Sequence, residues 1–181
     1  MATIWARTSG NWNGSVWDWI NPDTEQVEAY PYASPQNGDY VYLNGYSINL
    51  SGNINIGNGT ISNAENPNTG RMGGYFNYTQ STITNWNYIA NFVVDGLQMI
   101  RATGNRAAFY CTVNGNISLN NAPFYKNTST SLGSWGIQEF YINGNITGNF
   151  YLIDYDFTAV TSPTVDVVVI VGAYNCTSLI T

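Results

Sequence analysis

Short runs of β-branched and aromatic residues, punctuated by Asn-Gly, Asp-Gly or Ser-Gly steps, recur along the whole chain and constrain its fold more than any other feature. Examples of these runs are residues 41–43, 54–56, 92–94, 140–142 and 165–171. Asn and Gly accept the positive φ of tight turns. The 3.6-residue periodicity of an amphipathic helix is not seen, and one helical turn is expected at residues 21–25, where Pro22 can open it. The pattern therefore predicts an all-β protein.

A weak repeat joins an apolar residue, then Asn or Asp, then Gly. It occurs as Leu43-Asn44-Gly45, Val94-Asp95-Gly96, Val113-Asn114-Gly115 and Ile142-Asn143-Gly144. In a short parallel β-helix (β-solenoid) such corners separate strands that pair with the coils above and below, while inward Ile, Val and Leu stack along the axis. An Asn-Gly step is also the strongest short hairpin signal, which would produce an antiparallel β-sandwich or jelly roll. We expect the β-helix, with the sandwich as the alternative.

Charge is scarce in this chain. Charged residues make up 9% of the sequence, against about 25% in ordinary soluble domains. The 5 Lys and Arg residues against 11 Asp and Glu residues leave a net charge of −6, and the polar surface must come from uncharged groups that include 26 Asn. This balance disfavours duplex nucleic acid and polybasic membrane-surface binding. We therefore expect no nucleic-acid partner. We also expect no membrane insertion, because the longest apolar run is far below the ~20 residues that span a bilayer.

The sequence contains no histidine, which excludes every mechanism that needs an imidazole. The remaining enzyme candidate is Asp154-Tyr155-Asp156, whose two carboxylates fall on one face of a strand about 7 Å apart. That spacing suits inverting glycoside hydrolysis or a weak calcium site made by Asp154 and Asp156. An ordinary surface pair is the simpler interpretation. We therefore expect no enzymatic activity and no cofactor, and a small glycan hydrolase ranks third among the functions considered.

Two cysteines, Cys111 and Cys176, are too few for a disulfide framework. Each lies in a strand-like run, where a free thiol behaves as a small apolar side chain. Two buried thiols are the expectation, and a single bridge between them is the alternative.

The first 40 residues differ from the rest of the chain. Four tryptophans fall within fifteen residues, at Trp5, Trp12, Trp17 and Trp19. We interpret residues 1–40 as an N-terminal Trp-rich cap or attachment segment, because an uncovered solenoid end exposes both core and strand edges. An aromatic platform for sugars is the other interpretation. Residues 41–181 are expected to form the β-rich body of a single structural domain.

Two stretches are candidates for binding. Residues 70–91 place aromatic rings among Asn, Ser and Gly, a composition typical of recognition surfaces, and the predicted glycan or receptor contacts are Tyr75, Tyr78, Trp86 and Tyr88. The apolar run at residues 165–171 predicts a strand near a homo-oligomer contact, a trimer ahead of a dimer, because such a strand left exposed would aggregate. The predicted oligomer or partner contacts are Val167, Val169, Val171, Arg101 and Arg106.

The N-terminal third carries a distinctive order of elements. Gly10-Asn11-Trp12 is followed by Trp17, Pro35, the strand-like segment from Gly38-Asp39 to Leu43, and Asn44-Gly45 before a further strand. This order resembles a motif at the start of many tailed-phage virion proteins and some bacterial surface adhesins, over roughly residues 1–60. Asp39 itself is expected to accept backbone N–H bonds within its own turn.

The resemblance implies a β-rich structural protein of a phage particle, as a capsid decoration, head fibre or tail fibre, and it carries over no catalytic residue. Adhesins of this type usually continue for many more coils, which favours the virion component and leaves a carbohydrate-binding adhesin module as the alternative. The segment Met1–Arg7 has neither the basic nor the apolar region of a signal peptide. We therefore expect synthesis in a host cytoplasm, localisation in the virion, other virion proteins as partners and a host surface glycan as a further candidate partner.

Overall fold

A computed structural model describes residues 1–49, 52–78, 84–95, 100–102, 109–127, 138–155 and 167–179. The described residues contain β-strands and no helix, which confirms the all-β prediction. The strands are β1 (Thr3–Ala6), β2 (Gly10–Asn11), β3 (Trp17–Ile20), β4 (Val27–Ala29), β5 (Tyr40–Tyr42), β6 (Ser47–Asn49), β7 (Ile54–Ser62), β8 (Tyr75–Tyr78), β9 (Thr84–Asp95), β10 (Ile100–Ala102), β11 (Phe109–Asn114), β12 (Ile117–Asn127), β13 (Gln138–Tyr155) and β14 (Val167–Leu179).

The strands form one mixed sheet. β3 pairs antiparallel with both β1 and β4, so the chain begins with a small meander. Every other pairing between the described strands is parallel. Parallel neighbours need long connections rather than tight hairpins, so the Asn-Gly steps beyond the meander do not join adjacent strands.

The helical turn expected at residues 21–25 is present as a single α-turn within the hairpin between β3 and β4, because the Glu25 N–H donates to the Asn21 carbonyl at 2.8 Å. The Asn21 amide N–H donates to the Gln26 carbonyl at 2.9 Å, and the Asn21 side-chain oxygen accepts from the Asp23 N–H at 2.9 Å. Glu25 has a positive φ of 56°. The fixed φ of Pro22 suits the start of this turn, and the left-handed conformation of Glu25 ends it after one turn.

Buried apolar residues occupy equivalent positions in successive parallel strands and form rows. The first row runs Ile4, Val41, Ile61, Phe92, Ile117 and Ile146. The second row runs Ile54, Tyr88, Val113 and Ile142. All of these side chains are at most 1% exposed. Each one packs on the residue above and the residue below, and this burial is the main hydrophobic contribution to stability.

A third row begins with Ile48 and Phe76, both fully buried. The backbone register continues it through Ile100, Tyr125 and Ile153. The chain visits the rows in a constant order along its length. It passes Tyr88, Phe92 and Ile100, then Val113, Ile117 and Tyr125, then Ile142, Ile146 and Ile153.

The bend between the second row and the first is short, and we call it the tight corner. It consists of residues 89–91, 114–116 and 143–145, one set above another. A Cβ atom on Gly115 would lie 1.9 Å from the Ala90 carbonyl oxygen, and one on Gly144 would lie 2.0 Å from the Gly115 carbonyl oxygen. Because backbone atoms occupy this space, any side chain would force the strands apart. Glycine is required here by close approach and not by a positive φ.

Replacing Gly144 by alanine should lower the free energy of unfolding by about 3 kcal/mol, since overpacking against backbone cannot be relieved by a side-chain rotation. Gly14→Ala is the matched control, because its Cβ would meet its nearest neighbour at 3.1 Å, and a change below about 1 kcal/mol is expected. Urea unfolding followed by circular dichroism measures both. Equal stability of the two variants would contradict the close approach.

Candidate functional site

The structure places the four predicted glycan or receptor residues in two neighbouring segments, β8 and β9, with different burial where burial is described. Tyr88 is fully buried in the second core row, so the predicted surface contact is wrong for this residue. Its position follows from the alternation of β9, which turns Tyr88, Ala90 and Phe92 inward. Tyr75 is half-buried in β8. Tyr78 and Trp86 lie in β8 and β9, and their predicted contacts stay predictions.

Three of the N-terminal tryptophans, Trp5, Trp12 and Trp17, are buried. The Trp12 ring meets Trp17 edge-on at 5.3 Å and Phe76 at 5.6 Å between ring centroids. The Trp17 indole N–H donates to the Trp12 carbonyl at 3.0 Å, so its polar group is satisfied. Rings packed in this way cannot stack on a sugar. The sugar-platform interpretation is wrong for these three residues.

The predicted oligomer residues Val167, Val169 and Val171 lie in β14, opposite Gln138, Phe140 and Ile142 of β13. Arg101 lies in β10, at the register position of Lys126, which in turn is level with Asp154. The backbone register therefore places two basic residues and one acidic residue at the same level of three neighbouring strands. Arg106 and Asp156 lie outside the described residues. Sequence reasoning did not foresee this row, because the three residues are far apart in the chain.

Asparagine side chains link successive strands in a first column beside the tight corner. The Asn143 amide donates to the Asn114 side-chain oxygen at 3.0 Å. Asn114 in turn donates to the Asn87 side-chain oxygen at 2.7 Å, and the Asn87 backbone N–H donates to the Asn53 side-chain oxygen at 3.0 Å. Asn114 thus uses both its donor and its acceptor. An uncharged amide can repeat in this way without accumulating charge, because it both donates and accepts.

A second column lies on the other side of the corner glycines. The Asn145 backbone N–H donates to the Asn116 side-chain oxygen at 3.0 Å, across 29 residues of sequence. The Asn116 backbone N–H donates to the Asn91 side-chain oxygen at 2.9 Å, across 25 residues. Asn91 completes the column by donating to the Asn58 carbonyl at 2.9 Å. In this column the Asn116 side chain only accepts, and its backbone N–H is the donor to Asn91. Asn114 differs, because its side-chain amide is itself a donor.

A third set of polar bridges lies where the strands of the first row end. The Asp95 N–H donates to the Asn63 side-chain oxygen at 2.7 Å. The Asn120 amide donates to an Asp95 carboxylate oxygen at 2.7 Å. The carboxylate takes the place of an amide here because it is required only to accept. The weak repeat found in the sequence therefore marks corners, and it occurs at more than one of them.

A buried amide network holds the loop of residues 63–73. Asn44 and Asn66 are at most 3% exposed. Asn44 donates to the Ala6 carbonyl at 2.9 Å, and its side-chain oxygen accepts from Asn66 at 3.4 Å and from the Thr69 hydroxyl. A buried amide costs free energy unless it is hydrogen-bonded, so the network fixes the loop against the end of β1.

This loop presents Arg71 and Met72 at the surface beside Tyr46. The Arg71 guanidinium carbon lies 4.3 Å from the centroid of the Tyr46 ring, and its Nη1 donates to the Tyr46 hydroxyl. Within the described part of the chain, the ion pair is Arg7 with Asp18 at 3.1 Å, and Arg71 has no carboxylate partner there. Sequence reasoning missed this cation–π pair because the loop, and not local spacing, brings the two residues together.

The structure confirms that Asp39 accepts a backbone N–H bond within its own turn, and it shows further partners. One carboxylate oxygen accepts from the Gln36 N–H of its own turn at 2.8 Å. The other accepts from the Ala2 N–H at 2.9 Å, which ties the start of the chain to the turn before β5. The Tyr30 hydroxyl also donates to this carboxylate. Burial, with the hydrogen bond to Asp39 and its negative charge, raises the pKa of Tyr30 far above its ordinary value of 10.0.

In the described ranges, no three His, Cys, Asp or Glu side chains lie close enough together to hold a metal ion. The weak calcium candidates are not tested by this observation, because Asp156 lies outside those ranges. No helix in the part of the chain that the structure describes is long and apolar enough to cross a bilayer.

Comparison with known proteins leaves the chain without a match. No family model matches the sequence, and no curated protein or solved structure matches it either.

The two amide columns predict different responses to Asn→Asp. Asn114→Asp removes the donor to Asn87 and sets a carboxylate against an amide oxygen, so the free energy of unfolding at pH 7 should fall by about 2 kcal/mol. Asn116→Asp keeps the acceptor used by Asn145 and should cost less than about 0.5 kcal/mol. Urea unfolding of both isosteric variants measures the difference. Equal losses would show that the columns do not have the polarity described.

Stability should fall at alkaline pH because of Tyr30. Its pKa is raised in the folded state, so the stabilisation is complete below pH 10 and decreases as the pH rises toward the folded pKa. Tyr30→Phe should flatten the decrease between about pH 10 and 12, while Tyr42, whose pKa burial also raises, retains part of it. Thermal unfolding of the original chain and of Tyr30→Phe across this range tests the assignment. An unchanged slope in Tyr30→Phe would refute it.

Proposed function

We propose that this chain is a non-enzymatic structural protein of a tailed-phage virion, serving as a capsid decoration, head fibre or tail fibre component. The observation that carries the proposal is the uncharged locking of successive strands at the tight corner. Glycine backbones touch there, and amide columns flank them on both sides. Such contacts make a rigid body whose cohesion does not depend on ion pairs. Rigidity and insensitivity to pH are properties that a particle component needs outside a cell.

The finer fold that we propose is a short parallel β-solenoid. Three in-register rows visited in a constant order support it, because a chain that winds helically returns to the same face once per coil. A sandwich requires antiparallel neighbours. In the part of the chain that the structure describes, antiparallel strand pairs are confined to β1, β3 and β4.

Residues 1–40 act in this proposal as the cap and attachment segment. Trp12 packs on Phe76, which belongs to the third core row, and the Trp12 N–H donates to the Asn49 carbonyl at 3.1 Å. The residues that carry the resemblance to phage proteins have structural tasks. Trp12 and Trp17 cover the core, Asp39 anchors the chain start, and Asn44 holds the loop of residues 63–73. This use of the motif supports a shared construction and assigns no chemistry.

The low content of titratable groups also supports a role in an exposed particle. Each group whose pKa differs between folded and unfolded states makes stability depend on pH. With charged residues at 9% and no histidine, few such contributions exist in the neutral range. The homo-oligomer, a trimer ahead of a dimer with β14 near the contact, belongs to the same proposal. It is supported by the apolar composition of residues 167–171.

Mass spectrometry of purified phage particles tests the proposal. The chain should be found at a fixed copy number per particle and should remain after high-salt washing, because its contacts are largely uncharged. Absence from washed particles would contradict a virion role. Binding on a glycan array that is lost in Trp86→Ala would favour the adhesin module instead. Release of reducing sugar that is lost in Asp154→Asn would favour the glycan hydrolase.

A further inference from the structure

The strand β4 is an open edge of the mixed sheet. It pairs with β3 on one side and stands at the end of the strand order. All three of its residues, Val27, Glu28 and Ala29, are exposed. No described strand covers its other side. An exposed strand edge is a template on which a further strand can pair.

The register tells which peptide groups face outward from this edge. The Asn21 N–H donates to the Gln26 carbonyl, and the Tyr30 N–H donates to the Trp17 carbonyl, both at 2.9 Å. In an antiparallel pair the hydrogen-bonded positions alternate, so the peptide groups of Glu28 face β3. Those of Val27 and Ala29 therefore face away from β3, and each offers one donor and one acceptor.

The side chains along the edge add an apolar face. Val27 lies directly opposite Ile20, and these two side chains are 60% and 40% exposed. Ala29 lies on the same face, since alternate residues of a strand share a face. Opposite Ala29 is Asp18, whose charge is paired with Arg7 at 3.1 Å. Glu28 lies on the other face, where Asn21 and Thr24 donate to its carboxylate oxygens at 2.9 and 2.8 Å. Along β4 the side chains are therefore apolar at Val27, acidic at Glu28 and apolar at Ala29.

The negative charge of the β3–β4 hairpin indicates which kind of strand can bind at its edge. Between Trp17 and Tyr30 the sequence contains Asp18, Asp23, Glu25 and Glu28 and no Lys or Arg. Asp18 is paired with Arg7, whereas Glu28 is bonded to neutral donors. Two copies of β4 side by side would bring like charges together, which is unfavourable. A strand with basic residues on the Glu28 face would meet the opposite charge.

We infer that the outer edge of β4 binds an extended, basic segment of another protein by adding it as a strand to the sheet. The occupant alternates apolar residues with Lys or Arg. Its apolar side chains extend the face of Ile20, Val27 and Ala29, and its cations lie toward Glu28. This binding surface goes beyond the proposed function and needs no phage particle, because it requires only the folded hairpin.

The experiment uses the full chain and a blocked heptapeptide of alternating lysine and valine as the probe. Fluorescence polarisation measures affinity, and amide hydrogen exchange reports on individual positions. We expect the Val27 and Ala29 amides to gain protection when the peptide binds. A copy of the peptide that is N-methylated at every backbone amide keeps its charge but has no backbone N–H with which to pair on either edge. It should bind at least tenfold more weakly, as should a glutamate–valine analogue.

Val27→Pro removes one outward N–H at a position where proline is tolerated on an edge strand, and it should weaken peptide binding at least tenfold. Val27→Thr keeps the N–H and should stay within about twofold of the original chain. Equal binding of the N-methylated and unmodified peptides, or unchanged affinity in folded Val27→Pro, would overturn the inference in favour of charge attraction alone. A dimer in sedimentation analysis that Val27→Pro dissociates would overturn it in favour of a second copy. The N-methylated peptide keeps the test decisive even where Val27→Pro does not fold.

Discussion

The close approach of backbones at the tight corner sets the conditions for the rest of the structure. Parallel strands lie about 4.8 Å apart, and this spacing leaves no room for a side chain where the Gly115 and Gly144 backbones meet. The positions on either side can hold a side chain that reaches one strand spacing and no further. Asparagine has that length, and its amide can both donate and accept. Stacking thus accounts for the Asn and Gly residues of the tight corner.

The same constraint explains the shortage of charge. A column of carboxylates or ammonium groups at strand spacing would repel itself, whereas a column of amides gains a hydrogen bond at every step. Where a carboxylate does enter, as at Asp95, its neighbours Asn63 and Asn120 are neutral. In the described part of the chain, the Asp39 carboxylate accepts from the Gln36 N–H of its own turn, from the Ala2 N–H at the start of the chain and from the Tyr30 hydroxyl.

Local patterns predicted part of the strand set, because β-branched runs and Asn-Gly steps report directly on backbone conformation. They did not indicate β1, β3 and β4 in residues 1–40 or β8 in the aromatic stretch. They were not enough to predict length, since β13 continues through Asn143 and Gly144, where the sequence indicated a break. Tyr88 was placed on the surface from the polar composition around it, although the alternation with Ala90 and Phe92 already indicated an inward side chain. The Tyr46–Arg71 pair and the Asn44 network had no local signal, because their partners are brought together by the fold.

The corner sets at residues 114–116 and 143–145 expose nearly the same groups on their upper and lower sides. One set can therefore rest on another without any adjustment elsewhere in the molecule. Adding or deleting a segment of one such interval would change the length of the body and leave its remaining contacts as they were. Gene duplication of one such interval would therefore lengthen the proposed β-solenoid and leave residues 1–40 unchanged.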